Sequence, residues 1–329
     1  MNSEHGQPRI VALSGGVGGA KLVRGLTRQF PADELVVVCN TGDDFEHLGL
    51  TICPDIDSVI YAVAGLADEA RGWGRAEESW NFLDSLRAMD GESWFRLGDR
   101  DLAQHVQRSA WLRDGLPLGE VTARLCRAHG VRHLITPMSD APVRTMLRTA
   151  DGWLDFQDYF VRQRAAPVVE ELRYQGAESA AACLAWASLE QTLEAIIICP
   201  SNPYLSIDPI LAIAAWRHRL RERRVPVVAV SPIVGGDALK GCAAKLLREF
   251  GLPVTPVSIA RHYGGLLDGI VIDDQDAAFA PEIERLGIVV RVAPTVMRDD
   301  RDRDGLAQLV VQFAGQLPRR AGNDRRKQA

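Results

Sequence analysis

Near its N-terminus the chain passes from a short apolar strand, Arg9-Ile10-Val11-Ala12-Leu13, straight into Ser14-Gly15-Gly16-Val17-Gly18-Gly19-Ala20-Lys21, and then into a helical pattern carried by Leu22, Val23 and Leu26. No other feature constrains the fold as strongly. A glycine-rich turn between a strand and a helix leaves backbone N–H groups bare at the helix N-terminus, where the dipole and the free donors favour an anion. Glycine suits the place because a phosphate approaches the backbone closely only where no Cβ intervenes. The spacing is neither of the two common nucleotide motifs. Gly16-x-Gly18 begins a dinucleotide fingerprint, but Lys21 stands where its third glycine belongs, and Gly19-Ala20-Lys21-Leu22 is no Walker loop. The plain alternative is a tight turn with no ligand, for which this many glycines are more than a turn requires.

The rest of the chain extends the pattern. Strand-like runs recur at Ile10–Leu13, Leu35–Cys39, Arg132–Ile135, Ala195–Cys199, Val227–Val230, Ile270–Ile272 and Ile288–Val292. Several are unbroken Val/Ile runs, as expected of strands buried on both faces. Helical periodicity lies between them at Lys21–Gln29, Ser179–Leu189, Ile207–Arg223, Ala238–Phe250 and Leu306–Phe313. The alternation predicts an α/β fold with a doubly wound, mostly parallel, Rossmann-like sheet. Residues 9–61 and 131–317 would form its core. Residues 62–130 have little strand signal and read as a helical insertion with helices at Ala76–Met89, Asp101–Arg113 and Leu118–Ala128. Val143–Phe156 reads as a hairpin turned at Asp151-Gly152, and the polar stretch 318–329 as a disordered tail.

Composition excludes several classes. A net charge of -5 over 329 residues argues against a nucleic-acid coat or a general membrane-surface binder. No apolar run approaches the roughly 20 residues of a membrane span, and Met1–Pro8 has no signal core. The scattered cysteines Cys39, Cys53, Cys126, Cys183, Cys199 and Cys242 form no C-x-x-C pair and read as reduced core residues of a cytoplasmic protein. No histidine pair has zinc spacing, and no G-x-S-x-G elbow is present. The arginines of 217–224 close a long helix, where cations complement the dipole, and Arg298–Asp304 reads as the cap of the last helix.

Chemistry gathers where strands end. The second strand ends in Asn40-Thr41-Gly42-Asp43-Asp44, and Cys53-Pro54-Asp55-Ile56-Asp57 precedes a helix. In open α/β sheets such residues share one crevice with the glycine loop. Carboxylates beside a phosphate site suggest Mg²⁺, which takes carboxylate, water and phosphate oxygens; Asp43, Asp44 and Asp55 are the candidate ligands, and Asp55 or Asp57 could equally be helix caps. Arg100, in Leu97-Gly98-Asp99-Arg100-Asp101, either projects into the cleft or belongs to an ordinary helix start. Thr136-Pro137-Met138-Ser139-Asp140 and Cys199-Pro200-Ser201-Asn202-Pro203 are rigid polar loops suited to ligand contact, and Ser231-Pro232-Ile233-Val234-Gly235-Gly236 repeats the strand-then-glycine design.

Taken in order, these motifs resemble the CofD/FbiA family, the 2-phospho-L-lactate transferases of coenzyme F-420 biosynthesis, from residue 9 to about residue 295. The resemblance implies transfer of a phospho-acid unit from a guanosine diphosphate-linked donor to the ribityl hydroxyl of 7,8-didemethyl-8-hydroxy-5-deazariboflavin, with release of GMP and a need for Mg²⁺. It implies acceptor contacts at Asp55 and Arg100, and a donor and phosphate site at Ser14, Gly15, Gly16, Gly18, Gly19, Lys21, Ser201, Asn202, Gly235 and Gly236. Asp55 or Asp44 would serve as base or metal ligand. A homodimer is compatible with it; nucleic acid and membrane are not expected partners. Archaeal members look like Ser-Gly-Gly-Thr-Gly-Thr-Pro-Lys in the first loop, whereas Val17, Gly19 and Ala20 are closer to the bacterial pattern, which is associated with enolpyruvyl or phosphoglycerate-derived donors. The rival is a YvcK-like nucleotide-sugar-binding regulator. That group has Gly-Gly-Ser-Ser after its Asp-Asp, where this chain has Phe45-Glu46-His47. A nucleotide-dependent dehydrogenase is disfavoured by the broken fingerprint.

Overall fold

A computed structural model describes residues 8–184, 189, 192–239 and 241–320. Strand β1 (Ile10–Ser14) enters α1 (Gly16–Gln29), and β2 (Leu35–Cys39) enters a hairpin, β3 (Phe45–His47) and β4 (Leu50–Ile52), followed by α2 (Pro54–Ala64). Helices α3 (Asn81–Ala88), α4 (Asp99–Arg113) and α5 (Leu118–Ala128) precede β5 (Leu134–Pro137). Then come β6 (Arg144–Thr149), β7 (Gly152–Asp155), β8 (Glu171–Gln175), β9 (Ala195–Ile198), α6 (Asp208–Ala212) and α7 (Ala214–Glu222). The chain continues through β10 (Val227–Val230), β11 (Ile233–Val234), β12 (Asp237–Ala238), α8 (Ala243–Glu249), α9 (Pro256–Tyr263), β13 (Gly269–Ile272), α10 (Ala280–Glu284), β14 (Val289–Val292) and α11 (Asp300–Gln316).

Seven strands form one sheet in the order β14-β13-β10-β9-β1-β2-β5. Every pairing in it is parallel. Its central strands alternate between two cores. Val11, Leu13, Val36, Val38, Ile196, Ile198, Val227 and Ala229 pack on one face. Ile10, Ala12, Leu35, Val37, Ala195, Ile197, Val228 and Val230 pack on the other, against α1, α2, α5 and α11. Period-two alternation with both sides apolar is what a sheet covered by helices on both faces requires. The chain steps one way from β1 to β2 and β5, and the other way from β9 to β10, β13 and β14. The reversal lies between β1 and β9, the point at which such sheets open a ligand crevice.

Departures from the sequence expectation have local causes. The helix expected over Ile207–Arg223 breaks at Ile213, which is extended (φ -69°, ψ 118°) and fully buried. Ala238–Phe250 becomes helical only at Ala243, because β11 and β12 form a hairpin turned at Gly235-Gly236, both in the left-handed region. Of the expected helix Ser179–Leu189, residues 179–184 are turn and irregular chain, with the Cys183 N–H bonded to the Met138 carbonyl; residues 185–188 lie outside the described residues. The Val143–Phe156 hairpin is present as β6 and β7, with β8 completing a three-stranded antiparallel sheet. At the start of the expected tail, Arg320 pairs with Asp268; residues 321–329 lie outside the described residues.

Candidate active site

The glycine loop leaves β1 at the reversal point and meets the loop after β9. Gly15 N–H and the Ser201 hydroxyl are hydrogen-bonded at 3.2 Å, and that hydroxyl donates to the Gly15 carbonyl at 2.7 Å. Helix α1 begins at Gly16 with no side-chain cap and no acidic residue in its first turn. Its first N–H, on Gly16, donates to Asp55 Oδ1 at 2.7 Å. The glycines serve packing as well as anion approach. A Cβ on Gly15 would lie 2.6 Å from Asp55 Oδ2, one on Gly18 2.6 Å from the Pro200 carbonyl, and one on Gly19 2.5 Å from the Ser14 and Ser201 hydroxyls. At Gly16 the space is open, with the nearest atom 3.9 Å away, but φ is +66°. Gly16 is therefore the loop position that faces free volume.

Asp43, Asp44 and Asp55 are all buried. Asn40 ties them together: its Nδ2 donates to Asp55 Oδ2 at 2.9 Å and Asp43 Oδ1 at 3.2 Å, while its Oδ1 accepts from the Gly42 N–H. Burial pushes the Asp44 carboxyl up to about 7, against the pull of Arg144. Burial likewise raises Asp55 to about 6, although Asn40 and Gly16 hydrogen-bond its ionised form. Asp43 is held well above the usual carboxylate range by burial and by Asp55. Such a cluster is short of positive charge. Asp44 Oδ1 is buried with no hydrogen-bond partner among the described residues, as are the hydroxyls of Ser14, Thr41 and Thr145. Among the described residues no three His, Cys, Asp or Glu side chains form a preformed metal centre. One or two carboxylates completed by substrate phosphates and water are nonetheless the usual holding for Mg²⁺, and an unpaired oxygen in a carboxylate cluster fits that role.

The structure brings Ser14, Gly15, Gly16, Gly18, Gly19 and Ser201 together around this crevice. The remaining candidates go elsewhere. Lys21 Nζ donates to the Met297 carbonyl at 2.8 Å and lines a pocket between α1, α2 and the 67–74 segment. Asn202 is not short of partners: its Oδ1 caps the turn Pro203–Ile207 by accepting from Tyr204 and Leu205 N–H. Gly235 and Gly236 make a hairpin turn, with Gly235 N–H bonded to Asp276. Arg100 is half-exposed and paired with Glu77 at 3.2 Å. It stands beside the end of α2 far from Asp55, because α4 runs antiparallel to α2: Asp101 bonds Tyr61, whereas Arg108 bonds Asp57. Sequence reading passed over Asn40 as the hub of the cluster, although an asparagine closing a strand beside paired aspartates was a visible signal. It also passed over Arg144 and Arg108, whose positions depend on distant parts of the chain.

The chain matches the family model for 2-phospho-L-lactate transferase CofD over residues 10–299. The chain belongs to the CofD family. It is 40% identical over 317 residues to the phosphoenolpyruvate transferase of Streptomyces griseus subsp. griseus, covering 94% of this chain and 99% of that one. It is 36% identical over 303 residues to the 2-phospho-L-lactate transferase of Methanosarcina mazei, covering 92% and 99%. A solved Bacillus halodurans protein of the UPF0052 family has the same fold, with TM-score 0.61 at 14% identity over 93% of this chain and 99% of that one. The chain is thus a CofD-type transferase of coenzyme F-420 biosynthesis, and its likeness to the UPF0052 protein is one of fold alone. No described helix is long and apolar enough to cross a membrane.

Proposed function

We propose that this CofD-type enzyme works on the enolpyruvyl branch, moving an enolpyruvyl-phosphate unit from a guanosine diphosphate-linked donor to the ribityl hydroxyl of the deazaflavin. The observation that carries the reading is the juxtaposition, at the β1/β9 reversal, of an uncapped α1 N-terminus with two buried carboxylates, one of which keeps an unpaired oxygen. Sequence identity to the Streptomyces enzyme supports the enolpyruvyl donor. In the transfer the acceptor oxygen bonds to the phosphorus that carries the enolpyruvyl group. The bond from that phosphorus to the GMP oxygen breaks, GMP leaves and the hydroxyl proton is lost.

Displacement at phosphorus needs charge neutralisation and alignment more than covalent help. The N–H groups of the first α1 turn, around Gly16, Val17 and Gly18, would bind the diphosphate. Asp44 and Asp55 would hold Mg²⁺, which when bound neutralises phosphate oxygens and lowers the pKa of a bound hydroxyl. Asp55 already spends both oxygens on Gly16 and Asn40, so it couples the glycine loop to the end of β2. Asp44 has the unspent oxygen, and a pKa near 7 suits it to give up a proton to an arriving ion or take one from the hydroxyl. Arg100 would reach the acceptor by releasing Glu77.

The test is incubation of the full chain with the deazaflavin and, separately, the enolpyruvyl, phospholactyl and phosphoglyceryl donors, with Mg²⁺. Product mass and GMP release are followed. The expected result is fastest turnover with the enolpyruvyl donor and none in excess chelator. A preference for phospholactyl donor would move the enzyme to the other branch.

A further inference from the structure

A second cluster sits directly beside the carboxylates. Phe45 follows Asp44 in the chain and opens β3; it stands opposite Ile52 in the β3–β4 hairpin, next to Cys53, whose thiol hydrogen-bonds Asp44. The hairpin is therefore anchored at its base on the acidic site. Beyond that base, four rings gather. Phe45 and Phe95 meet edge-to-face with centroids 4.8 Å apart, and His47 meets Trp94 at 5.1 Å. Trp94 and Phe95 neighbour each other at 5.7 Å. The Arg162 guanidinium covers the Trp94 ring at 4.6 Å and is tied to Glu92 and Asp158, each at 3.3 Å.

Two features separate this cluster from an ordinary satellite of the core. Phe45, Trp94 and Phe95 are only half-buried. In addition, His47 is 3% exposed, and its Nε2 has no hydrogen-bond partner among the described residues; nor has Trp94 Nε1. Buried ring nitrogens normally find a partner, and leaving two without one is costly in a purely structural cluster. Aromatic faces with two unspent ring nitrogens match a planar heteroaromatic ligand whose edge carries carbonyl and N–H groups.

We propose that Phe45, His47, Trp94 and Phe95 seat the ring system of the acceptor, its pyrimidinedione edge bonded by Trp94 Nε1 and His47 Nε2. The proposal rests on the deazaflavin acceptor of the preceding reading. In it, Trp94 Nε1–H donates to a ring carbonyl, and His47 Nε2 pairs with the ring N–H or the second carbonyl. The β3–β4 hairpin then sets the distance from the ring to Asp44 and Asp55, across which the ribityl chain extends. Acceptor selection and phosphate chemistry would thus be carried on one continuous stretch, 43–55.

The test is an equilibrium titration of the deazaflavin into the full-length chain, read by deazaflavin fluorescence anisotropy, beside calorimetric titration with GDP. Trp94→Phe keeps a ring and removes the N–H, and Phe95→Leu removes a stacking face. Each should weaken deazaflavin binding about tenfold, the usual worth of one such hydrogen bond or stack, with GDP affinity within about twofold of the parent. In turnover, the acceptor KM should rise with little change in kcat. A deazaflavin methylated at the pyrimidinedione nitrogen should bind the unaltered chain about tenfold more weakly, a measurement that needs no variant to fold. If the parent binds deazaflavin, and both variants and the methylated analogue bind as tightly, the ring lies elsewhere and the proposal is overturned. If the parent binds GDP but no deazaflavin, the acceptor reading itself fails and takes this proposal with it.

Discussion

Asp55 and Asp57 stand two residues apart in the first turn of α2, and both are buried, yet their surroundings are opposite. Asp57 faces the insertion helix α4. Its carboxylate accepts from Arg108 Nη1 at 3.0 Å and Gln104 Nε2 at 2.6 Å, with a second, very short contact to Arg108 Nη2. His105 adds a contact at 3.8 Å. Asp55 faces the β1/β9 crevice, where amide donors meet it but no cation does. A paired buried carboxylate holds structure together; a group of unpaired ones stores a demand for charge that a ligand can meet. The helix thus joins a structural half and a chemical half, and each can be broken separately.

The largest effect is expected on the structural half. Arg108→Ala strands Asp57 as a buried charge and should lower unfolding free energy by about 3–5 kcal/mol, measured by urea denaturation. A loss under about 1 kcal/mol, the value of an exposed pair, would show that water reaches Asp57 and would dissolve the contrast. On the chemical half, Asp44→Asn should cut turnover at least about tenfold while the fold is retained by circular dichroism. Unchanged turnover would remove Asp44 from the site. Arg100→Ala touches only an exposed pair with Glu77, so stability should move by less than about 1 kcal/mol, while acceptor KM rises about tenfold if one charged hydrogen bond is lost. An unmoved KM would leave Arg100 as an ordinary helix-start residue.

The smallest effect sharpens the comparison by its sign. The Asp44 carboxyl titrates near 7 in the folded chain, above its ordinary value of 3.8. Between those values the folded state holds a proton that the unfolded state releases, so stability falls as pH rises through the window. Asp44→Asn removes that loss. Without metal, the variant should melt about 2 °C or more above the parent at pH 8, with no advantage at pH 4. Added Mg²⁺ should raise the melting temperature of the parent and not that of the variant. A variant that melts lower than the parent at pH 8 without metal would mean that the carboxylate is already satisfied by the protein.

Much of this was legible in the chain. All seven strands of the main sheet were visible as Val/Ile runs, because burial on both faces removes polar residues from them. The glycine loop and the Asp-Asp and Pro-Asp-Ile-Asp motifs were found as site elements, because the ends of parallel strands converge whatever covers the sheet. Lys21, Asn202, Gly235 and Gly236 show the limit. Each sits in a motif of the right type, yet its side chain or backbone serves a neighbour: the Met297 carbonyl, a helical turn, a hairpin. A motif records where the backbone goes, and the partner of a side chain depends on what arrives from elsewhere.

The sequence by itself determined the α/β class, the position of the crevice and the family, since these follow from apolar periodicity and from glycines and carboxylates placed at strand ends. Only the tertiary structure decided which carboxylates are spent. Spacing puts Asp55 and Asp57 on different sides of α2, but nothing local says which side meets an arginine. That was settled when α4 packed antiparallel on α2 and carried Arg108, 51 positions away, onto Asp57, leaving Asp43, Asp44 and Asp55 together in a buried pocket whose charge no described side chain neutralises directly.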